Sequence, residues 1–150
     1  MTPLQDRLDD LRLTWVRRDA SLVADFEAGL AEVAAFNDPM CIGPLLELFE
    51  DSSPFEELLF SVVHTIEAYA DHVYVPELLR ATEALLRRSP RWARILYTRV
   101  LNAPATRAEL ASAIWREPGP IRVAVRTVLD DIVRKRPEFV DKVDDIRSRL

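Results

Sequence analysis

Apolar residues recur every three or four positions from one end of the chain to the other, and nowhere do they settle into the strict alternation of a strand. The chain therefore reads as all-α, a succession of eight or nine helices. The first is predicted over about residues 3 to 17, with Leu4, Leu8, Leu11 and Trp15 on one face. The second runs from about 21 to 36, with Leu22, Phe26, Leu30 and Val33 inward, and Asn37-Asp38-Pro39 stops it. A short third covers about 43 to 50 through Leu45, Leu46 and Phe49, ahead of the turn Asp51-Ser52-Ser53-Pro54. The fourth, about 54 to 70, has the clearest pattern: Phe55, Leu58, Leu59, Val62, Val63 and Ile66 share one face, which predicts the core helix. A fifth spans about 75 to 88, and Ser89-Pro90 supplies an N-cap and an N1 proline for a sixth through about 101. A seventh follows over about 104 to 116. Glu117-Pro118-Gly119-Pro120 then breaks the chain before an eighth, about 120 to 135, and Pro137 opens a short ninth.

The linkers are short, so successive helices are expected to pack as antiparallel neighbours. A faint echo links Gly43-Pro44-Leu45-Leu46-Glu47-Leu48 to Val75-Pro76-Glu77-Leu78-Leu79, about one helix pair apart. It favours stacked antiparallel helix pairs, a short HEAT-like α-solenoid, over an up-down four-helix bundle. One domain over residues 1–150 accommodates all of it.

The 49% hydrophobic and 30% charged residues are those of a folded globular chain. The lone Cys41 has no intramolecular disulfide partner, and the first residues, MTPLQDRLDD, resemble no signal peptide, which points to the cytoplasm. No apolar run approaches the roughly 20 residues of a bilayer-crossing helix, so no membrane role is expected. Charge is unevenly divided. Residues 1–75 carry 15 Asp/Glu and 4 Arg, a net of −11, whereas residues 76–150 carry 10 Asp/Glu and 16 Lys/Arg, a net of +6. Either the halves neutralise one another by packing, or each offers a surface to a partner of opposite sign.

Catalytic and cofactor chemistry is sought without success. Gly29, Gly43 and Gly119 are scattered, so no phosphate-binding loop forms. His64, His72 and Cys41 lack the convergent spacing of a metal site, although His64 and Glu67 stand at i and i+3. Nothing around Cys41 resembles an oxyanion loop. The expectation is a protein with no enzyme activity, cofactor, metal or small-molecule substrate.

Two groups of polar residues stand out. In the sixth helix Trp92, Ile95, Leu96, Arg99 and Val100 form one stripe, which puts Arg99 on an otherwise apolar face. A buried guanidinium is costly unless a carboxylate meets it. In the fourth helix Phe60, His64, Glu67 and Asp71 form a second stripe, so Glu67 is the expected partner, within a buried network of His64, Glu67, Arg99 and the helix-ending Asn102. Contact with a ligand is the alternative. The second group is Asp38, Glu47, Glu50, Asp51, Glu56 and Glu57, six carboxylates within twenty residues that contain no Lys or Arg. A solvated face normally mixes signs, so these six are predicted to contact a cationic partner, unless the basic C-terminal helices fold over them. The basic clusters Arg87-Arg88-Ser89-Pro90-Arg91 and Arg134-Lys135-Arg136 fall at helix ends, where they complement the dipole, and with a net charge of −5 nucleic-acid binding is not expected.

The stretch from Leu59 to Glu67 with Tyr74-Val75-Pro76, then Ser89-Pro90-Arg91-Trp92-Ala93 and Arg99-Val100-Leu101-Asn102, resembles the immunity protein 30 family. The resemblance spans roughly residues 43 to 130. Its most specific parts are the His-x-x-Glu step, the Ser-Pro-x-Trp entry and the Arg-x-x-Asn exit. It implies an immunity protein that binds and neutralises the cognate C-terminal toxin domain of a polymorphic or contact-dependent toxin. An acidic inhibitor suits that role because many toxins that attack nucleic acids are basic, and attraction speeds capture. The competing reading is a helical-repeat adaptor or scaffold that holds a peptide or protein subunit.

Overall fold

The structure, a computed structural model, describes residues 2–17 and 19–150. Among them are nine α-helices and no strand. The first is α1 (Pro3–Trp15), opened by a capping box in which the Gln5 amide donates to Thr2 Oγ1 at 3.2 Å and the Thr2 amide to Gln5 Oε1 at 2.8 Å. Its buried Leu4, Leu8, Leu11 and Trp15 pack on α2 (Leu22–Ala35), with the Trp15 and Phe26 rings 4.9 Å apart. Gly29 lets these two helices approach closely, because a Cβ there would stand 3.1 Å from Leu11 Cδ1.

The fourth and seventh helices end three residues sooner than the periodicity predicts, and two other boundaries move by four. The third helix shrinks to α3 (Ile42–Leu46), led in by a 3₁₀ turn at Pro39–Cys41; Leu48 and Phe49 stay buried but belong to the turn that follows. After α4 (Glu56–Glu67), α5 (Asp71–Arg88) begins four residues earlier than predicted and holds Pro76 inside it. A proline signals a helix start because it has no amide to donate. Here the buried stripe Tyr74, Val75, Leu78, Leu79, Thr82 and Leu85 carries the helix through Pro76. The remaining helices are α6 (Pro90–Asn102), α7 (Pro104–Ala113), α8 (Gly119–Lys135) and α9 (Val140–Arg147).

As predicted, α4 lies in the core: Leu58, Leu59, Val62, Val63 and Ile66 have no exposed surface. It touches α2, α3 and α5, and α5 in turn touches α3, α6, α7 and α8. Between α5 and α6 the buried Thr82 and Tyr97 hydroxyls share a hydrogen bond of 2.6 Å, while Thr82 Oγ1 also donates to the Leu78 carbonyl at 2.7 Å. Trp92 of α6 sits against Phe49 and Phe60, with ring centroids 5.0 and 5.1 Å away. Buried residues from Leu4 to Ile146 join in one apolar cluster. No helix among the described residues is long and apolar enough to cross a membrane.

Candidate partner-binding surface

Helical phase decides what each carboxylate of the acidic segment meets. At about 100° per residue, Glu56 and Glu67 lie only about 20° apart around α4, and both face α6. Glu56 pairs with Arg91. Glu67 grips Arg99 with two parallel bonds, Arg99 Nε donating to Oε2 at 2.8 Å and Nη2 to Oε1 at 2.7 Å. This hydrogen bonding raises the Arg99 pKa further above its ordinary value, against an opposing effect of burial.

The Glu67–Arg99 pair is as the sequence predicts, but its setting is not. The two side chains keep 28% and 37% exposure, so the pair is half-buried. His64 is exposed and stands outside it, because it lies about 60° from Glu67 around α4 on the solvent side. Asn102 is exposed as well, and its Oδ1 accepts from Lys142 Nζ at 2.9 Å instead. Asp71 belongs to the first turn of α5 rather than to α4, where its Oδ1 accepts from Thr106 at 2.7 Å. Glu67, Asp71, Tyr74, Arg99, Asn102 and Thr106 line an open pocket of about 400 Å³, so Asn102 reaches the site of the pair although its side chain bonds Lys142. The Tyr74 hydroxyl is buried there without a hydrogen-bond partner among the described residues, and burial raises its pKa well above the usual tyrosine range.

Asp51 has a role that no local pattern shows. Its carboxylate accepts from the amides of Arg91 at 2.9 Å and Trp92 at 3.1 Å, which caps the start of α6 from forty residues upstream. Ser89, the predicted N-cap, makes no capping bond. It is buried, and its Oγ donates to the Phe49 carbonyl at 2.6 Å. The reason is competition: the Phe49 carbonyl, left free past α3, takes the hydroxyl, and the amides of α6 go to the stronger anionic acceptor.

The other four acids divide. Glu50 accepts from Trp15 Nε1 at 2.5 Å. Glu47 is exposed and meets Arg12 at 3.5 Å. Asp38 caps its own turn by accepting from the Met40 amide at 3.0 Å, and its carbonyl accepts from the Tyr69 hydroxyl at 3.2 Å. Glu57, about 100° around α4 from Glu56, is exposed, and its carboxylate meets no cation among the described residues. Packing of α2 on α4 brings Glu27 beside it: Ser61 Oγ donates to Glu27 Oε1 at 2.9 Å and reaches the Glu57 carbonyl at 3.3 Å. Glu27 is likewise exposed and without an ion-pair partner among the described residues. Thirty residues separate the two in sequence, so only the helix pairing could reveal their proximity.

Cys41 is buried beside Tyr69, its Sγ 3.3 Å from the phenol oxygen, and burial pushes the thiol pKa up. Such a thiol is a poor nucleophile.

No curated protein and no solved structure matches the chain. The family model for immunity protein 30 matches residues 15–110, from the end of α1 to the last turn of α7, starting earlier and stopping earlier than the motifs alone suggest. The matched stretch contains the Glu67–Arg99 pair, the Asp51 cap and the Glu27–Glu57 face, and it covers well over half of the sequence: the chain belongs to the immunity protein 30 family.

Proposed function

We propose that the chain is the inhibitor of a toxin domain, which it neutralises in the cytoplasm by stoichiometric binding rather than by chemistry. Family membership supports the class, and the observation that carries the mode is the distribution of charge. Residues 19–79 contain 13 Asp/Glu and no Lys or Arg. On the α6 side of α4 these carboxylates meet Arg91 and Arg99. On the α2 side Glu27 and Glu57 face solvent unneutralised, and like charges left together favour a cationic partner. Glu57 and Glu27 form the centre of this surface, with Asp38 and Glu47 as further contacts. Glu50, Asp51 and Glu56 are held by internal bonds to Trp15, the start of α6 and Arg91.

The helix pairs are read as a short HEAT-like stack. Its support is the order of contacts: α1 packs on α2, α2 on α4, α3 on α5, α5 on α6, α7 and α8, and α9 on α7 and α8. Such a stack forms one domain with an extended face for a partner.

Co-expression with the toxin domain encoded beside the gene tests the reading. Growth is expected to be restored, and the two proteins to co-elute as a complex. Continued killing with no complex would overturn it in favour of the helical-repeat adaptor.

A further inference from the structure

A groove runs along the outer face of α6, between α4 and α8, with a volume of about 370 Å³. Phe60, Ile95 and Ile132, one from each helix, give it an apolar lining. Cations rim it, and they are not equivalent. Arg91 and Arg99 are held by Glu56 and Glu67, and Arg136 by Glu138 at 3.0 Å. Arg94 and Lys135 meet no carboxylate among the described residues. Lys135 is exposed, as a solvated lysine would be, but Arg94 is half-buried. A guanidinium partly withdrawn from water with no acceptor is unfavourable, and an incoming carboxylate would remove that penalty with a planar, two-pronged match.

We infer that this groove is a docking site for a peptide segment of the protein partner in which an apolar side chain stands beside an Asp or Glu. The carboxylate meets Arg94, with Lys135 opposite, and the apolar side chain covers Phe60 and Ile95, over the buried Ile132. A nucleic-acid strand fits less well. Its phosphates would meet the same cations, but the groove has one half-buried aromatic ring, already edge-on to Trp92, and the chain as a whole is negative. That the partner is a toxin rests on the function proposed above; the chemistry of the groove does not.

The test uses the full ¹⁵N-labelled chain and three probes: a short peptide alternating Glu and Leu, its Gln-for-Glu counterpart, and a single-stranded oligonucleotide. The Glu peptide is expected to shift the amide signals of Arg94, Ile95 and Ile132, and the Gln counterpart to bind about tenfold more weakly. Arg94→Gln and Lys135→Gln should each weaken the Glu peptide severalfold, with the helical circular dichroism unchanged. Signals that stay still with the Glu peptide, equal binding by the Gln peptide, or preference for the oligonucleotide would each overturn the inference. The neighbouring toxin domain separates this inference from the reading it rests on. If the toxin binds the parent and Arg94→Gln equally, the groove is not its seat and the inhibitor reading stands. If the peptide binds in the groove and the toxin does not bind the chain at all, the groove stands and the inhibitor reading falls.

Discussion

The two sides of α4 carry the same kind of residue to different ends. Toward α6, Glu56 and Glu67 are joined to arginines, and Asp51 just upstream caps the facing helix. Toward α2, Ser61 joins the Glu27 carboxylate to the Glu57 backbone carbonyl, and neither glutamate forms an ion pair among the described residues. One side holds the protein together and the other is open to a partner. Density of charge along a sequence cannot tell them apart. Helical phase can, since one residue's step, from Glu56 to Glu57, moves a carboxylate from one side to the other.

The largest expected effect breaks the α6 side at its centre. Trp92 is 1% exposed and wedged between Phe49 and Phe60, so Trp92→Ala should cost about 3–5 kcal/mol in urea denaturation. A loss below about 1 kcal/mol would mean α6 is anchored elsewhere. Next comes the borrowed cap: Asp51→Ala frees two amides at the start of α6 and should cost about 1–2 kcal/mol, while Asp51→Asn retains part of it. An Asp51→Ala variant as stable as the parent would overturn the capping assignment. Smaller again is the Glu67–Arg99 pair. Being half-buried, each of Glu67→Ala and Arg99→Ala should cost about 1 kcal/mol, not the 3–5 kcal/mol of a fully buried pair. The double variant should lose less than the two single losses added. Additive losses would show that the two residues act separately.

The fold was largely legible because apolar spacing reports the buried face directly. Leu58, Leu59, Val62, Val63 and Ile66 are buried as their periodicity requires. Failures came where a local signal met a tertiary competitor. Pro76 looks like a helix start until the stripe from Tyr74 to Leu85 is packed, and Ser89 looks like a cap until the Phe49 carbonyl and Asp51 arrive from forty residues away. The candidate site was half legible for the same reason. Glu67 and Arg99 could be matched because a guanidinium on an apolar stripe demands a carboxylate. His64 shares its helix with Glu67 but not its phase, Asn102 lines the pocket beside Arg99 but is taken by Lys142, and Glu27 belongs to the open face only through the packing of α2 on α4.

The central claim is that the open side of α4 draws in a cationic toxin domain while the closed side maintains the fold. Stopped-flow association of the neighbouring toxin domain with the Glu27→Lys, Glu57→Lys double variant tests it most directly, since both side chains are exposed and neither forms an ion pair among the described residues. The account predicts an association rate at low salt reduced about tenfold, a flatter dependence on ionic strength, and a melting temperature within about 2 °C of the parent. A rate and salt dependence equal to those of the parent, in a variant that remains folded, would contradict it.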